Sequence, residues 1–132
     1  MDKKFTILVT DDDTFLLDMY TQKFTKSGYT VHVADSGEIA LKKLHEGLKP
    51  DIMLFDVIMP GMTGLEILEQ IRKENLVPEA TAIMLTNQNA PEDISTAKRL
   101  NVDGYIIKAT AIPSEVLAEV EQIHKNHSNK QK

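Results

Sequence analysis

Acidic residues follow two of the most apolar segments of this 132-residue chain. Phe5–Thr10 leads into the acidic run Asp11–Asp13, and Asp51–Phe55 leads into Asp56. If both segments are neighbouring strands of a parallel sheet, their carboxyl ends meet at one edge and bring these carboxylates together. Like charges gathered so closely repel one another, and a divalent cation relieves that repulsion. We therefore predict a metal-binding crevice at the rim of a sheet.

Short apolar segments alternate with amphipathic helical patterns along the whole chain. The predicted strands are Phe5–Thr10, Thr30–Ala34, Asp51–Phe55, Thr81–Leu85 and Gly104–Ile107. Five successive strand–helix pairs predict an α/β domain, an open parallel sheet that is doubly wound, with helices on both faces. Ligands of such sheets bind beyond the carboxyl ends of the strands, where Thr86 and Lys108 also fall.

Composition limits the class of protein. The chain is 42% hydrophobic and 27% charged with a net charge of −5, and it has no cysteine. An acidic chain is a poor partner for nucleic acid, and a chain without cysteine forms neither disulfides nor thiolate metal sites. No apolar stretch approaches the ~20 residues of a membrane span, and the N-terminus lacks a signal-peptide core. We expect a soluble, cytoplasmic domain over residues 1–125, followed by a polar tail, 126–132, that frays.

Four segments of the sequence resemble the receiver domain of bacterial two-component response regulators, in particular chemotaxis-regulator-like receivers. They are Ile7–Asp12, Asp51–Gly64, Ala82–Thr86 and Asp103–Lys108. The resemblance extends over most of the chain and implies a flavodoxin-like (βα)5 fold with strand order 2-1-3-4-5. It also implies a signalling switch rather than an enzyme, with only weak self-catalysed phosphotransfer and dephosphorylation.

The resemblance assigns roles to the acidic residues. Asp56 is implied to be the phosphoacceptor, which attacks the phosphorus of a phosphohistidine on a sensor histidine kinase or phosphotransfer protein. Asp12 is expected to bind Mg²⁺ directly and Asp11 through water, with Asp56 and the backbone carbonyl of Ile58 completing the protein ligands. Mg²⁺ prefers oxygen ligands and offsets the charge of a phosphoryl group during its transfer.

The resemblance also assigns the residues that sense and transmit phosphorylation. Lys108 is expected to bind a phosphoryl oxygen through its positive charge, and Thr86 to bind another through its hydroxyl. Tyr105 is the implied partner of Thr86 in the switch, which changes the surface formed by helix 4, strand 5 and helix 5. That surface is expected to contact an unknown output protein or domain, or to form a phosphorylation-dependent homodimer.

Two positions depart from the family pattern. Receivers usually have Lys-Pro with a cis peptide bond where this chain has Lys108-Ala109. Because a cis bond before a non-proline residue costs roughly 2.5–4 kcal/mol, we predict a trans bond and an altered loop that still places Lys108 at the site. Ile58 is apolar where many receivers have a polar residue, so we predict slow self-dephosphorylation.

Other interpretations are weaker. A phosphorylation-independent interaction module would typically lack one of five residues that are all present here, namely Asp11, Asp12, Asp56, Thr86 and Lys108. A dehalogenase-type phosphohydrolase would need a threonine where Phe15 stands. A flavodoxin-like cofactor site would need phosphate-binding residues after strand 1, where acids stand. Asp13 is expected to cap or solvate the first helix and not to bind metal. The histidines lack ligand spacing and are expected at the surface or in the tail; they are His32, His45, His124 and His127.

Overall fold

A computed structural model describes residues 5–86, 91–107 and 112–130, and it describes only the backbone at Thr86, 91–93 and 129–130. The strands are β1 (Thr6–Thr10), β2 (Thr30–Ala34), β3 (Ile52–Asp56), β4 (Thr81–Thr86) and β5 (Gly104–Ile107). The helices are α1 (Thr14–Lys26), α2 (Gly37–His45), α3 (Gly64–Lys73), α4 (Pro91–Arg99) and α5 (Pro113–Lys130). This strict alternation of strand and helix confirms the predicted fold class.

The strands form one parallel sheet in the order β2-β1-β3-β4-β5. The chain moves from β1 outward to β2 and then crosses back to β3, so the winding direction reverses between β1 and β3. Thr10 pairs with Phe55 in this register, so the residues that follow them, Asp11 and Asp56, lie side by side at the carboxyl edge of the sheet. Crevices at such a reversal are where open α/β sheets bind their ligands.

Each face of the sheet is covered by its own set of helices. Alternate side chains of β1 point to opposite faces: Ile7 and Val9 belong to the core on the side of α1 and α5, and Leu8 to the core on the side of α2, α3 and α4. All five residues of the central strand β3 are buried, which explains why its sequence is apolar from Ile52 to Phe55 and does not alternate. The rigid central strand thus delivers Asp56 to the edge of the sheet.

Helix ends follow the sequence signals closely. Asp13 caps α1, and its carboxylate accepts hydrogen bonds from the backbone N–H groups of Phe15 and Leu16 at 3.0 and 3.2 Å. Thr63 caps α3 in a reciprocal capping box with Glu66. The predicted helix-capping role of Asp13 is confirmed.

Helix α5 is longer than the sequence suggests. We expect residues 126–132 to fray, but α5 continues through Lys130. The reason is tertiary contact, because His124 lies within hydrogen-bond distance of Thr81 and His127 within hydrogen-bond distance of Asp103. The helix thus includes residues 126–130, where the sequence predicts a frayed tail, and the side chains of His124 and His127 contact residues at the edge of the sheet. Residues 131–132 lie outside the described part of the chain.

Candidate functional site

Three carboxylates meet at the carboxyl edge of the sheet. Asp11 and Asp12 follow β1, Asp56 ends β3, and one oxygen from each lies within 4.8 Å of the others. Asp11 and Asp56 are only 1% and 5% exposed, whereas Asp12 is exposed. The structure therefore brings together the three acids that the sequence analysis selects, with two at the floor of the crevice and one at its rim.

The backbone around Asp11 fixes the geometry of the first two acids. The N–H of Asp11 donates to the carbonyl oxygen of Ala34 on β2 at 3.1 Å, which extends the pairing of β1 and β2 beyond Thr10. The Asp11 carboxylate accepts a hydrogen bond from the N–H of Asp13 at 3.0 Å. Because Asp13 in turn caps α1, the chain leaves the strand with Asp11 held inward and Asp12 facing the rim.

A glycine at the start of α3 lets the chain turn tightly around Asp56. The Gly64 N–H donates to the carbonyl oxygen of Val57 at 3.0 Å, and the Val57 N–H donates to that of Leu85 on β4 at 3.2 Å. A Cβ atom at position 64 would lie 2.3 Å from the carbonyl oxygen of Asp56, so only glycine fits here. Gly61, in the same loop, has φ +82°, a conformation that also favours glycine. This close approach is a requirement that the sequence analysis does not identify.

The chemistry of this cluster suits a hard metal ion. All three ligand atoms are carboxylate oxygens, the donors that Mg²⁺ and Ca²⁺ prefer over nitrogen or sulfur. Burying two like charges side by side is costly without a compensating positive charge. Among the residues that the structure describes, this is the one group of three or more acidic or histidine side chains close enough to share an ion. The cluster can therefore hold a metal ion.

The structure describes only part of the other predicted site residues, Thr86, Lys108 and Tyr105. Thr86 ends β4, next to the strand that carries Asp56, but its side chain lies outside the described residues. Lys108 comes directly after β5, and both it and Ala109 also lie outside them. Tyr105 lies half-buried in β5, opposite Met84 of β4, and packs against the core beneath α2, α3 and α4.

Exposed apolar side chains surround the same edge of the sheet. The large hydrophobic residues exposed in the described part of the chain are Phe15 (71%), Ile39 (39%), Ile58 (54%) and Ile112 (62%). Each follows the carboxyl end of a strand, namely β1, β2, β3 and β5. This rim is not evident from the sequence, because its residues are brought together only by the fold. The available signal was that Phe15 stands outside the buried stripe of α1, which contains Leu17, Tyr20 and Phe24.

Comparison with known proteins identifies the family of this chain. Residues 7–121 match the response regulator receiver domain family, and the chain belongs to that family. It is 37% identical over 123 residues to the alkaline phosphatase synthesis transcriptional regulatory protein PhoP of Bacillus subtilis, an alignment that covers 93% of this chain and 49% of PhoP. It is 34% identical over 114 residues to the DNA-binding response regulator MtrA of Mycolicibacterium paratuberculosis, covering 86% of this chain and 48% of MtrA. The chain thus spans about half the length of these relatives.

Solved structures of receiver domains have the same architecture. A CheY-like receiver domain protein from Methanospirillum hungatei superposes with a TM-score of 0.86 at 29% identity, covering 97% of this chain and 99% of that chain. The chemotaxis protein CheY4 of Vibrio cholerae gives 0.84 at 26% identity, covering 92% and 99%. The chain is therefore a receiver domain of two-component response regulators, a signalling domain, as its sequence motifs predict. No helix in the described part of the chain is long and apolar enough to cross a membrane.

Proposed function

We propose that this receiver domain accepts a phosphoryl group on Asp56 from the phosphohistidine of a sensor kinase or phosphotransfer protein, in a Mg²⁺-dependent reaction. The observation that supports this most directly is the convergence of Asp11, Asp12 and Asp56 at the reversal point of the sheet in a chain of this family. The domain acts as a switch, and its self-catalysed phosphotransfer and dephosphorylation are weak. We place it in the cytoplasm, where it acts through protein contacts.

The proposed transfer uses Asp56 as a nucleophile. A carboxylate oxygen of Asp56 attacks the phosphorus, the bond between phosphorus and the donor imidazole nitrogen breaks, and its electron pair returns to that nitrogen. The product is an acyl phosphate on Asp56 and a neutral histidine on the donor. Asp56 is 5% exposed, so its burial limits access of water to the acyl phosphate.

Metal binding completes the proposed site. The donors of this chain would be the carboxylates of Asp12 and Asp56, the carbonyl oxygen of Ile58, and Asp11 through water. When bound, Mg²⁺ supplies positive charge that offsets the charge on the phosphoryl oxygens. The hydrogen bond from the Asp13 N–H restrains the Asp11 carboxylate, so that the site is partly organised before metal arrives.

Two residues at adjacent strand ends would recognise the phosphoryl group. Thr86 ends β4 and Lys108 follows β5 in the sequence, so we expect both at the edge at which Asp56 lies. We infer that the Lys108 ammonium and the Thr86 hydroxyl bind phosphoryl oxygens. Movement of Thr86 towards the phosphoryl group would open space for Tyr105, and Tyr105 would transmit the change to the surface of α4, β5 and α5.

The apolar rim around Asp56 suits docking of the phosphodonor. A donor histidine reaches Asp56 only if its protein covers this edge of the sheet, and Phe15, Ile58 and Ile112 are exposed there. Burial of apolar area is the main favourable contribution to such association, at roughly 25 cal/mol per Å². We therefore expect apolar contact with the kinase or phosphotransfer protein, while the output surface on α4, β5 and α5 serves an output partner or a homodimer.

Mass spectrometry of the intact protein tests the proposal. The protein is incubated with acetyl phosphate, with and without Mg²⁺, as wild type and as Asp56→Asn. We expect a gain of one phosphoryl group that requires both Mg²⁺ and Asp56. A phosphorylation-independent module would give no adduct and would also fail to bind beryllofluoride, whereas a rapidly hydrolysed adduct would still leave beryllofluoride binding intact.

A further inference from the structure

The C-terminal turns of α5 pack against the edge of the sheet opposite the acid cluster. His127 lies between two elements that lead into strands, because its Nδ1 is 2.7 Å from a carboxylate oxygen of Asp103 and its Nε2 is 2.9 Å from the backbone carbonyl oxygen of Glu79. The His127 and Asp103 side chains are 11% and 17% exposed. One ring therefore connects α5 to the starts of both β4 and β5 in a largely buried setting.

Both partners of the His127 ring are hydrogen-bond acceptors. A carbonyl oxygen carries no hydrogen, and a carboxylate only accepts, whereas a neutral imidazole has a single N–H to donate. The Asp103 carboxylate is itself held in place, because its other oxygen accepts the N–H of Ala82 at 2.8 Å. Both hydrogen bonds of His127 are therefore satisfied together only when the ring is an imidazolium, which donates from each nitrogen.

The neighbouring histidine on the same helix has the opposite requirement. His124 Nδ1 lies 2.7 Å from the hydroxyl oxygen of Thr81, and its Nε2 is buried without a hydrogen-bond partner among the described residues. Burial lowers the pKa of His124, and the adjacent His127 lowers it further, although Asp51 and Asp103 act in the other direction. Burial therefore favours the neutral form of His124, whose ring packs edge-to-face against Phe5.

Charged groups from several elements surround this pair of histidines. Lys49 and Asp51 precede β3, Glu79 precedes β4 and Asp103 precedes β5. A cavity of about 700 Å³ borders both histidines and is also lined by Lys49, Asp51 and Glu79. Water in this cavity can take up the proton of His127, and the cavity gives the ring room to move away from Glu79 once one of its two hydrogen bonds is lost.

We propose that the last turns of α5 are attached to the sheet by a proton-dependent clamp, in which the His127 imidazolium bridges Asp103 and the Glu79 carbonyl. The clamp is complete while both ring nitrogens of His127 carry a proton. When one of these protons passes to water, the ring faces an acceptor with a lone pair. One hydrogen bond is then replaced by repulsion, and residues 124–130 separate from the sheet more readily.

Nuclear magnetic resonance of the full chain tests the clamp at pH 6 and pH 8. Ring nitrogen shifts report the protonation of His127, and hydrogen-exchange protection factors, corrected for intrinsic rates, report the attachment of residues 124–130. We expect a doubly protonated ring at pH 6, and protection at pH 8 that is lower by about tenfold, as the loss of one charge-assisted hydrogen bond implies. Protection in α1 should change little.

Variants separate the clamp from general effects of pH. His127→Gln should give low protection in residues 124–130 at both pH values, while His32→Gln, on the edge strand β2, should behave as wild type. A neutral His127 ring at pH 6 in a fully protected helix would overturn the proposal. Equal protection of the wild-type segment at pH 6 and pH 8 would overturn it as well, and both results come from the unaltered protein.

Discussion

Replacing Gly64 with alanine is expected to displace the loop that follows Asp56. The new Cβ would lie 2.3 Å from the Asp56 carbonyl oxygen, 3.0 Å from its carbonyl carbon and 3.1 Å from the Cβ of Phe55. The nearest atoms belong to the backbone of the buried central strand, so they cannot rotate away. Either α3 must shift outward or the end of β3 must bend, and both movements disturb the acid cluster.

The expected loss of stability depends on whether the atoms that the new Cβ would meet can move. Overpacking a well-packed site costs typically 1–3 kcal/mol, and a rigid backbone places Gly64→Ala near the upper end, at about 2–3 kcal/mol. With an unfolding entropy of roughly 2.1 cal/mol/K per residue, a chain of 132 residues loses about 7–11 °C of melting temperature.

Gly37→Ala is a matched control, because Gly37 and Gly64 are the first residues of α2 and α3. A Cβ at position 37 would lie 2.7 Å from Ile67 Cγ1, 2.8 Å from its Cδ1 and 3.0 Å from Met62 Cβ, which are side-chain atoms and not strand backbone. We therefore expect a smaller loss for this variant, about 1–2 kcal/mol. Urea and thermal unfolding of both variants give the comparison. Equal destabilisation by the two substitutions would refute the view that contact with the Asp56 backbone fixes the loop.

Further predictions concern buried polar groups, the metal and the phosphoryl group. Thr10→Val should raise stability by about 1 kcal/mol in urea unfolding, because the 1%-exposed Thr10 hydroxyl has no hydrogen-bond partner among the described residues. Thr81→Val should lower it, since the Thr81 hydroxyl is paired with His124. Mg²⁺ at ten times its dissociation constant should add about 1.4 kcal/mol of stability, and Asp56→Asn should weaken this response; melting that is indifferent to Mg²⁺ would contradict the metal site. Ile58→Asn should shorten the half-life of the phosphoryl group several-fold, and an unchanged half-life would disprove a role for the apolar side chain. Burial lowers the pKa of His124 in the folded protein. As the pH falls below about 6.5, the unfolded chain therefore takes up a proton more readily than the folded chain, and the free energy of unfolding decreases. His124→Gln should reduce this decrease between pH 7 and pH 5.

The acid cluster is predictable from sequence because its determinants are local and periodic. Apolar strands lead straight into Asp11 and Asp56, and a parallel sheet places their ends together whatever the details of packing. The predicted third strand still begins one residue early and ends one early. Asp51 belongs instead to the turn before β3, where its carboxylate accepts the N–H of Thr6 at 2.9 Å, and Asp56 pairs in register with Leu85.

Features that depend on tertiary contact are not visible in the sequence. The polar sequence after residue 125 suggests a frayed end, yet pairing of His127 with Asp103 continues the helix. The need for glycine at position 64 arises from an approach to Asp56 that only the folded loop creates. The apolar rim collects Phe15 and Ile112, residues far apart in sequence. The conformation predicted for Lys108-Ala109 lies outside the described residues and stays a prediction.

Locating the phosphoryl group tests the central claim most directly. After incubation with acetyl phosphate and Mg²⁺, borohydride reduces an acyl phosphate on aspartate to homoserine, and tandem mass spectrometry of the peptides identifies the altered residue. We predict homoserine at position 56 alone, and no conversion when Mg²⁺ is omitted. Conversion at Asp11 or Asp12 with Asp56 unchanged would contradict the assignment of Asp56 as the phosphoacceptor.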